Sequence, residues 1–330
     1  MTAVTAGLQL DPLDPDDEAG VADWLALLDA TVGDVPDQPP PCPTDQVGSL
    51  HHAPPDTALE GWVARLDGRL VGALRLALPA GAAAARIDQL LVHPDLRRRR
   101  VGRALYEHAL RRATAHGRET ITGTVVEALP GGPPRDPAPA VFAAASGANR
   151  AGAGVRQRLD LDRDDPPAAI PPVGYVLARW GTVTPDCLVH AVSALETMLG
   201  DGPLDGPLDA TYARRFETMR LGRGRRAHHT GVVHEASGRL IGYTSLSMTV
   251  SNPEHALQGM TVVHAEHRGH GLGLVLKRAN LAHARHLESA LRVVDTTNDE
   301  DNYPMIAVNR AMGFTPRDRW VVWNRPLPPR

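Results

Sequence analysis

The chain has 330 residues, 42% of them apolar, with 35 Lys and Arg against 38 Asp and Glu. That length suits two domains better than one core, and the balanced charge excludes the basic excess that a general nucleic-acid or membrane-surface binder needs. Two cysteines, Cys42 and Cys187, stand in opposite halves. No run reaches the roughly 18 apolar residues of a membrane span, and the acid-rich "MTAVTAGLQLDPLDPDDEAG" lacks the basic flank and apolar stretch of a signal. A soluble protein of the reducing cytoplasm is the expectation.

In chain order, a short strand around Leu8 and Leu10 leads to "AGVADWLALLDA", whose apolar residues recur at helical spacing. The Pro-rich "VPDQPPPCPTD" reads as loop. "GWVARLDGRLVGALRLAL" is a hairpin turning at Asp67-Gly68, and the strand "ARIDQLLVH" follows. After the basic run "RRRRVG", Val101, Ala104, Leu105 and Ala109 share one helix face, and "ETITGTVVE" is a further strand. "LPGGPPRDPAPA" and "DRDDPPAAIPPVG" are loop or linker, the second at mid-chain. The same order then recurs: a strand over 175–180, the helix "DCLVHAVSALETMLG", the hairpin "TGVVHEASGRLIGYTSLSM" with a two-residue turn at Ser237-Gly238, and the strand "ALQGMTVVH". "RGHGLG" comes next, then a helix with Leu272, Val275, Leu276 and Ala279 on one face, and the strand "LRVVDTTND".

"HPDLRRRRVG" and "HAEHRGHGLG" begin 171 residues apart, at His93 and His264, and Gly68 and Gly238 of the hairpins stand 170 apart. Two matches at nearly one offset indicate a duplicated domain. The halves are placed at 1–165 and 172–330, joined near 163–173, each an α/β (α+β) layered domain.

A helix that starts directly after a strand offers bare amides and the positive end of its dipole to an anion. In "RGHGLG", Gly269, Gly271 and Gly273 permit close approach of backbone to a phosphate, and Arg268 adds charge. Neither GxxxxGK[ST] nor a GxGxxG with a following acid is present, which excludes a P-loop and a dinucleotide fold. Strand, R-x-x-G-x-G, helix resembles the coenzyme A diphosphate loop of the GNAT acyltransferase superfamily, with Arg268, Gly271 and Gly273 at its fixed positions. "TTNDEDNYPMIAVNRAMGF" is similar to the family's C-terminal segment, and "LLVHPDLRRRRVGRALY" repeats the loop with Arg100 in place of its first glycine. A tandem form of this kind is also found in mycothiol synthase and related actinobacterial acetyltransferases.

The resemblance implies two GNAT-like domains, each a mixed, mostly antiparallel sheet flanked by helices. It implies acetyl-CoA, or another acyl-CoA, lying along Leu91, Val92, Arg97, Arg98, Arg99, Arg100, Val101, Gly102, Arg103 and Ala104. In the second half the corresponding residues are Val262, Val263, Arg268, Gly269, His270, Gly271, Leu272 and Gly273. Acyl transfer to an amine also needs a base and an acid. Asn309 stands where the family's tyrosine acid is usual, so Asn302 and Tyr303 are the polar candidates near the thioester. For the base, Glu254 is selected from Glu235, Glu254, His255 and His264.

The first half ends in "PAVFAAASGANRAGAGVRQRLDL", which has neither a tyrosine nor an obvious acid, but its four arginines suit a diphosphate. The expectation is a coenzyme-holding first domain and a catalytic second one. The acceptor is expected to be a small-molecule amine, with no nucleic acid and no membrane as partner, and the protein a monomer or homodimer. A non-catalytic acyl-CoA sensor is the alternative. No metal is expected, since His51-His52 and His228-His229 read as loop histidines without ligand-spaced acids.

Overall fold

The computed structural model describes residues 7–161, 169–198 and 208–328. Most of the expected junction at 163–173, and the stretch "GDGPLDG" from residue 200 on, lie outside them.

The chain runs β1 (Leu8–Pro12), α1 (Glu18–Ala30), α2 (Pro43–His51), β2 (Thr57–Leu66), β3 (Arg69–Pro79), β4 (Ala84–Val92), α3 (Val101–Ala115), β5 (Thr120–Ala128), α4 (Ala138–Ala145) and β6 (Asn149–Asp160). It continues as β7 (Tyr175–Trp180), α5 (Asp186–Thr197), α6 (Ala210–Gly222), β8 (Arg225–His234), β9 (Arg239–Thr249), β10 (His255–Val263), α7 (Leu272–Leu287), β11 (Val293–Asp299), α8 (Tyr303–Met312) and β12 (Thr315–Pro326).

Two compact units result, and their division differs from 1–165 and 172–330. The first holds the chain to Ala153 together with everything from Arg319 on; the second holds Gly154–Asp318. β6 therefore begins in the first unit and ends in the second, and β12 does the reverse. The strand order is β1-β2-β3-β4-β5-β12 in the first unit and β7-β8-β9-β10-β11-β6 in the second. Within the first unit, Leu327 N–H donates to Glu119 O at 2.7 Å, holding the incoming chain end at the start of β5. Within the second, β6 pairs antiparallel with β11 from Val293↔Asp160 to Asp299↔Gly154.

Each sheet is covered on both faces. In the first unit α3 buries Val101, Leu105 and Ala109 against Val71, Leu74 and Leu76, while α1 buries Trp24, Leu27 and Leu28 against Val63, Leu70 and Ala73. In the second, Leu272 and Leu276 of α7 meet Val232 and Ile241, and α5 lays Val192 and Leu195 against Trp180, Tyr243 and Val262. Burying a large apolar side chain is worth about 2 kcal/mol, so these contacts fix which face each helix takes.

The hairpins differ. Asp67 and Gly68, both at positive φ (50° and 78°), form the expected two-residue turn. β8 and β9 are instead joined by the four residues 235–238, with Gly238 N–H donating to His234 O at 2.8 Å.

Candidate active site

The two loops are built alike from different residues. His93 N–H donates to Val71 O and His264 N–H to Ile241 O, at 2.9 and 2.7 Å, and a single 3-10 turn follows each. Arg97 Nε then donates to Val92 O at 3.3 Å, as Arg268 Nε does to Val263 O at 3.0 Å. This arginine clamps the loop onto the last carbonyl of its strand. Arg97 additionally pairs with Asp34 at 2.7 Å.

Two residues per loop take left-handed backbone: Gly269 and Gly271 at φ 82° and 71°, and Arg98 and Arg100 at φ 64° and 66°. Left-handed geometry costs a non-glycine residue about 1–2 kcal/mol. Gly271 and Arg100 are the residues before α7 and α3, and no side chain caps either helix. Both helix starts thus present uncapped amides to a solvent-exposed loop, the arrangement that suits a diphosphate.

Ahead of each loop the sheet opens. β4 pairs in parallel with β5 only from Ala84↔Thr120 to Ile87↔Gly123, and β10 with β11 only from His255↔Val293 to Leu257↔Asp295. Irregularities in the opposite ladder fall at the same points, between Ile87 and Gln89 and between Gln258 and Thr261. A bulge bends its strand, and here each one turns the strand away from its parallel neighbour. The edges of residues 88–92 and 258–263 are left open to an extended amide chain such as pantetheine. The repeated glycine of "GRLVG" and "GRLIG" keeps the geometry: a Cβ on Gly72 would lie 2.9 Å from Leu91 O, and one on Gly242 2.7 Å from Val262 O.

Among the expected coenzyme residues, Val101 and Leu272 are buried anchors of the two helices, and Arg98, Arg99, Arg100, Gly269 and His270 are exposed on the loops. Arg103 pairs along α3 with Glu107 at 3.0 Å. The residues singled out for catalysis do not come together. Asn302 is the N-cap of α8, its Oδ1 accepting Met305 N–H at 3.2 Å, and Tyr303 is 73% exposed. Glu254 is exposed at the closed end of the gap, where its carbonyl accepts Arg292 and Val293 N–H. His255 bonds buried Asp295 at 2.9 Å. Burial pushes the Asp295 carboxyl up, but donors from Arg158 and His255 outweigh it and hold it well below the usual range. His228 and His229, expected in a loop, are buried in β8, because alternating β8 residues face α5 and α7.

The groups that do meet at the gap went unnoticed in the sequence. Tyr243 of β9, buried opposite Val262, donates its hydroxyl to Glu196 of α5 and lies 3.2 Å from Met260 Sδ on the open stretch of β10. Burial pushes the Glu196 carboxyl up, with the Tyr243 hydrogen bond opposing, and pushes the Tyr243 phenol up as well. His229 stacks on Trp180 at 5.3 Å and donates from Nδ1 to Gly181 O at 2.9 Å. Burial, then the Arg220 charge, lower it to about 4.

On the opposite face, Lys277 of α7 is 1% exposed, donates to Asn309 Oδ1, and sits 5.1 Å from the Phe314 ring. Burial lowers it to about 7. Asn309 in turn donates to Gln157 and Asn298 at 2.6 and 2.7 Å. The first unit has Ala73 where Tyr243 stands, with Trp24, Leu27 and Leu28 around it, and Tyr106 against Phe142 in the region of Lys277 and Asn309.

The chain belongs to the acetyltransferase (GNAT) family, whose profile matches residues 24–129 and again 197–314. Members of this family use acetyl-CoA, and the matches cover both of the loops just described. A tandem GNAT protein from the clavulanic acid biosynthesis pathway is 55% identical, with a TM-score of 0.91 over 98% of this chain and 99% of that one. A GCN5-related N-acetyltransferase from Sphaerobacter thermophilus shares the fold at TM-score 0.71 and 16% identity, over 98% and 96% of the two chains. A putative acetyltransferase from Pyrococcus horikoshii does so at 0.59 and 14%, over 98% and 91%. The search of curated proteins gives no match. Among the described residues, no helix is long and apolar enough to cross a membrane, and no group of three or more His, Cys, Asp or Glu is placed to hold a metal ion.

Proposed function

We propose that the protein moves an acetyl or other short acyl group from coenzyme A to an amine of a small molecule, with the chemistry in the second unit and the first unit holding coenzyme. The observation that carries the division is the Glu196–Tyr243 pair beside Met260, where the first unit has only Leu28 and Ala73. The bound acyl-CoA supplies an activated thioester. Uncapped amides before Leu272 and Val101 hold its diphosphate, and the open edges at Val262, Val263, Leu91 and Val92 hold its arm.

α7 and α8 lie on one face of the sheet and the Glu196–Tyr243 pair on the other, and it is from the side of that pair that the acceptor comes. Its amine arrives as an ammonium and must lose a proton before it attacks. Glu196 is the base: its raised carboxyl lies closer to neutral pH than a free one, which makes it the better proton acceptor. Tyr243 fixes the carboxylate by donating to one of its oxygens. Lys277, lowered to about 7 and linked to Asn309, is the group from which the departing thiolate is reprotonated. Asn302 sets the start of α8 and thereby the position of Asn309. The 55% identical relative comes from the biosynthesis of a small molecule, which supports an acceptor of that kind.

Thiol release from acetyl-CoA on addition of an amine panel tests the reading. Amine-dependent release that survives substitution of the first unit's loop, and is lost on substitution of Glu196, is expected. Coenzyme retention without any amine-dependent release would make the protein a sensor instead.

A further inference from the structure

One charged group beside the Glu196–Tyr243 pair is left out of the local hydrogen-bond and ion-pair network. Arg220, on α6, is partly buried, and among the described residues its guanidinium makes no hydrogen bond and no ion pair. It lies over the face of the Phe216 ring, 4.6 Å away. The acids nearby are otherwise engaged. Glu217 accepts Thr184 N–H at 2.8 Å and pairs with Arg214 at 2.7 Å, and Glu196 accepts Tyr243. Burial lowers Arg220 from its ordinary value, with the neighbouring Tyr243 and Glu196 acting in the opposite direction. The guanidinium nitrogens keep access to solvent, and a planar bidentate anion satisfies their fork of donors.

The first unit shows what a spectator arginine looks like in this fold. Arg75 of β3, on the corresponding sheet face, donates to Ser49 of α2 at 2.6 Å, and its neighbour Gln89 takes Gln46 of α2 at 3.1 Å. There the second helix closes the polar groups of the sheet. In the second unit, α6 instead contributes an arginine that finishes in no pair.

We propose that Arg220 binds a carboxylate of the acceptor, so that the preferred substrate is an amine that also carries an acid, its nitrogen directed to Glu196 and its carboxylate to Arg220. This deepens the proposed function and rests on it. An acceptor of opposite ends fits the two charges of the site in one orientation only, which aims the nitrogen at the thioester. Glu217, already neutralised by Arg214, does not compete for Arg220. Arg225, the other cation acting on Arg220, favours an anion there too.

The test is a kinetic comparison of the full chain on paired probes: glycine, β-alanine, γ-aminobutyrate and δ-aminovalerate against their own primary amides, with thiol release as the readout. At least one acid is expected to exceed its amide in kcat/KM by about 10² or more. In Arg220→Gln the preference is expected to collapse through KM of the acid, while turnover of the amide changes less than about threefold, and Arg220→Lys is expected to restore part of it. An equal loss on acid and amide would make Arg220 structural and overturn the inference, as would a wild type that treats each acid like its amide. In both cases the acyltransferase reading survives. Absence of thiol release with every probe would overturn both.

Discussion

The two units reach the same loop by opposite routes. Gly269 and Gly271 adopt left-handed backbone freely, while Arg98 and Arg100 adopt it against strain. What the loop requires is therefore its backbone, which leaves the helix start uncapped, and side chains are free to vary around it. Arginine adds charge to the first loop, and glycine leaves the second without side chains at the same two positions. The helix and strand behind each loop differ as well, with Leu28 and Ala73 in one unit and Glu196 and Tyr243 in the other.

The largest break in that comparison is expected from Glu196→Gln. Loss of a general base lowers turnover by about 10² to 10³, with coenzyme binding unchanged in both units. In the wild type, activity should rise with pH through a midpoint above the ordinary carboxylate range, because the base works only when deprotonated and burial pushes Glu196 up. A variant of wild-type rate would remove Glu196 from the mechanism.

His229 has no imidazole counterpart beside Gly61 of β2 and gives the second unit its own acid sensitivity. Its folded value of about 4 lies below the unfolded 6.5, so between these values the unfolded chain binds more protons. Stability from this group is complete above pH 6.5 and is lost as pH falls towards 4, by roughly 3 kcal/mol in all. Urea unfolding from neutral to mildly acidic pH should show this slope in the wild type and a shallower one in His229→Asn. Parallel slopes would contradict it.

Gly271→Ala places a Cβ at φ 71° and costs the second loop about 1–2 kcal/mol, or about tenfold in its affinity for coenzyme. Calorimetry should then find the first unit's site unaltered; a loss at both sites would show that they are not independent. The smallest effect is expected from Arg98, Arg99 and Arg100 replaced together by Asn, which tolerates left-handed backbone. Coenzyme affinity in the first unit should fall only severalfold, and the difference should fade as salt rises.

Much of the fold was legible because its signals are local. The "GRLVG" and "GRLIG" hairpins, the basic and glycine-rich loops, and the helical faces of α3 and α7 each occupy a few consecutive residues. α2 and α6 carry no such motif, and α2 stands behind prolines that read as loop but in fact open the helix at Pro43. The exchange of β6 and β12 between units is a pairing across more than a hundred residues, and no local pattern encodes it. Asn302 and Tyr303 stand near the family's C-terminal motif, and Glu254 on a strand edge, so each is placed by its own segment alone. The pair that meets at the gap, Glu196 and Tyr243, is separated by 47 residues, and in "SALETM" the glutamate reads as an ordinary exposed helix residue.

Mass measurement of the intact chain carrying acetyl-CoA, before and after addition of an acid-bearing amine, tests the central claim most directly. The account predicts two coenzymes per chain, of which one loses its acetyl group and the other keeps it. A chain that binds none, or one in which both are consumed, would contradict it.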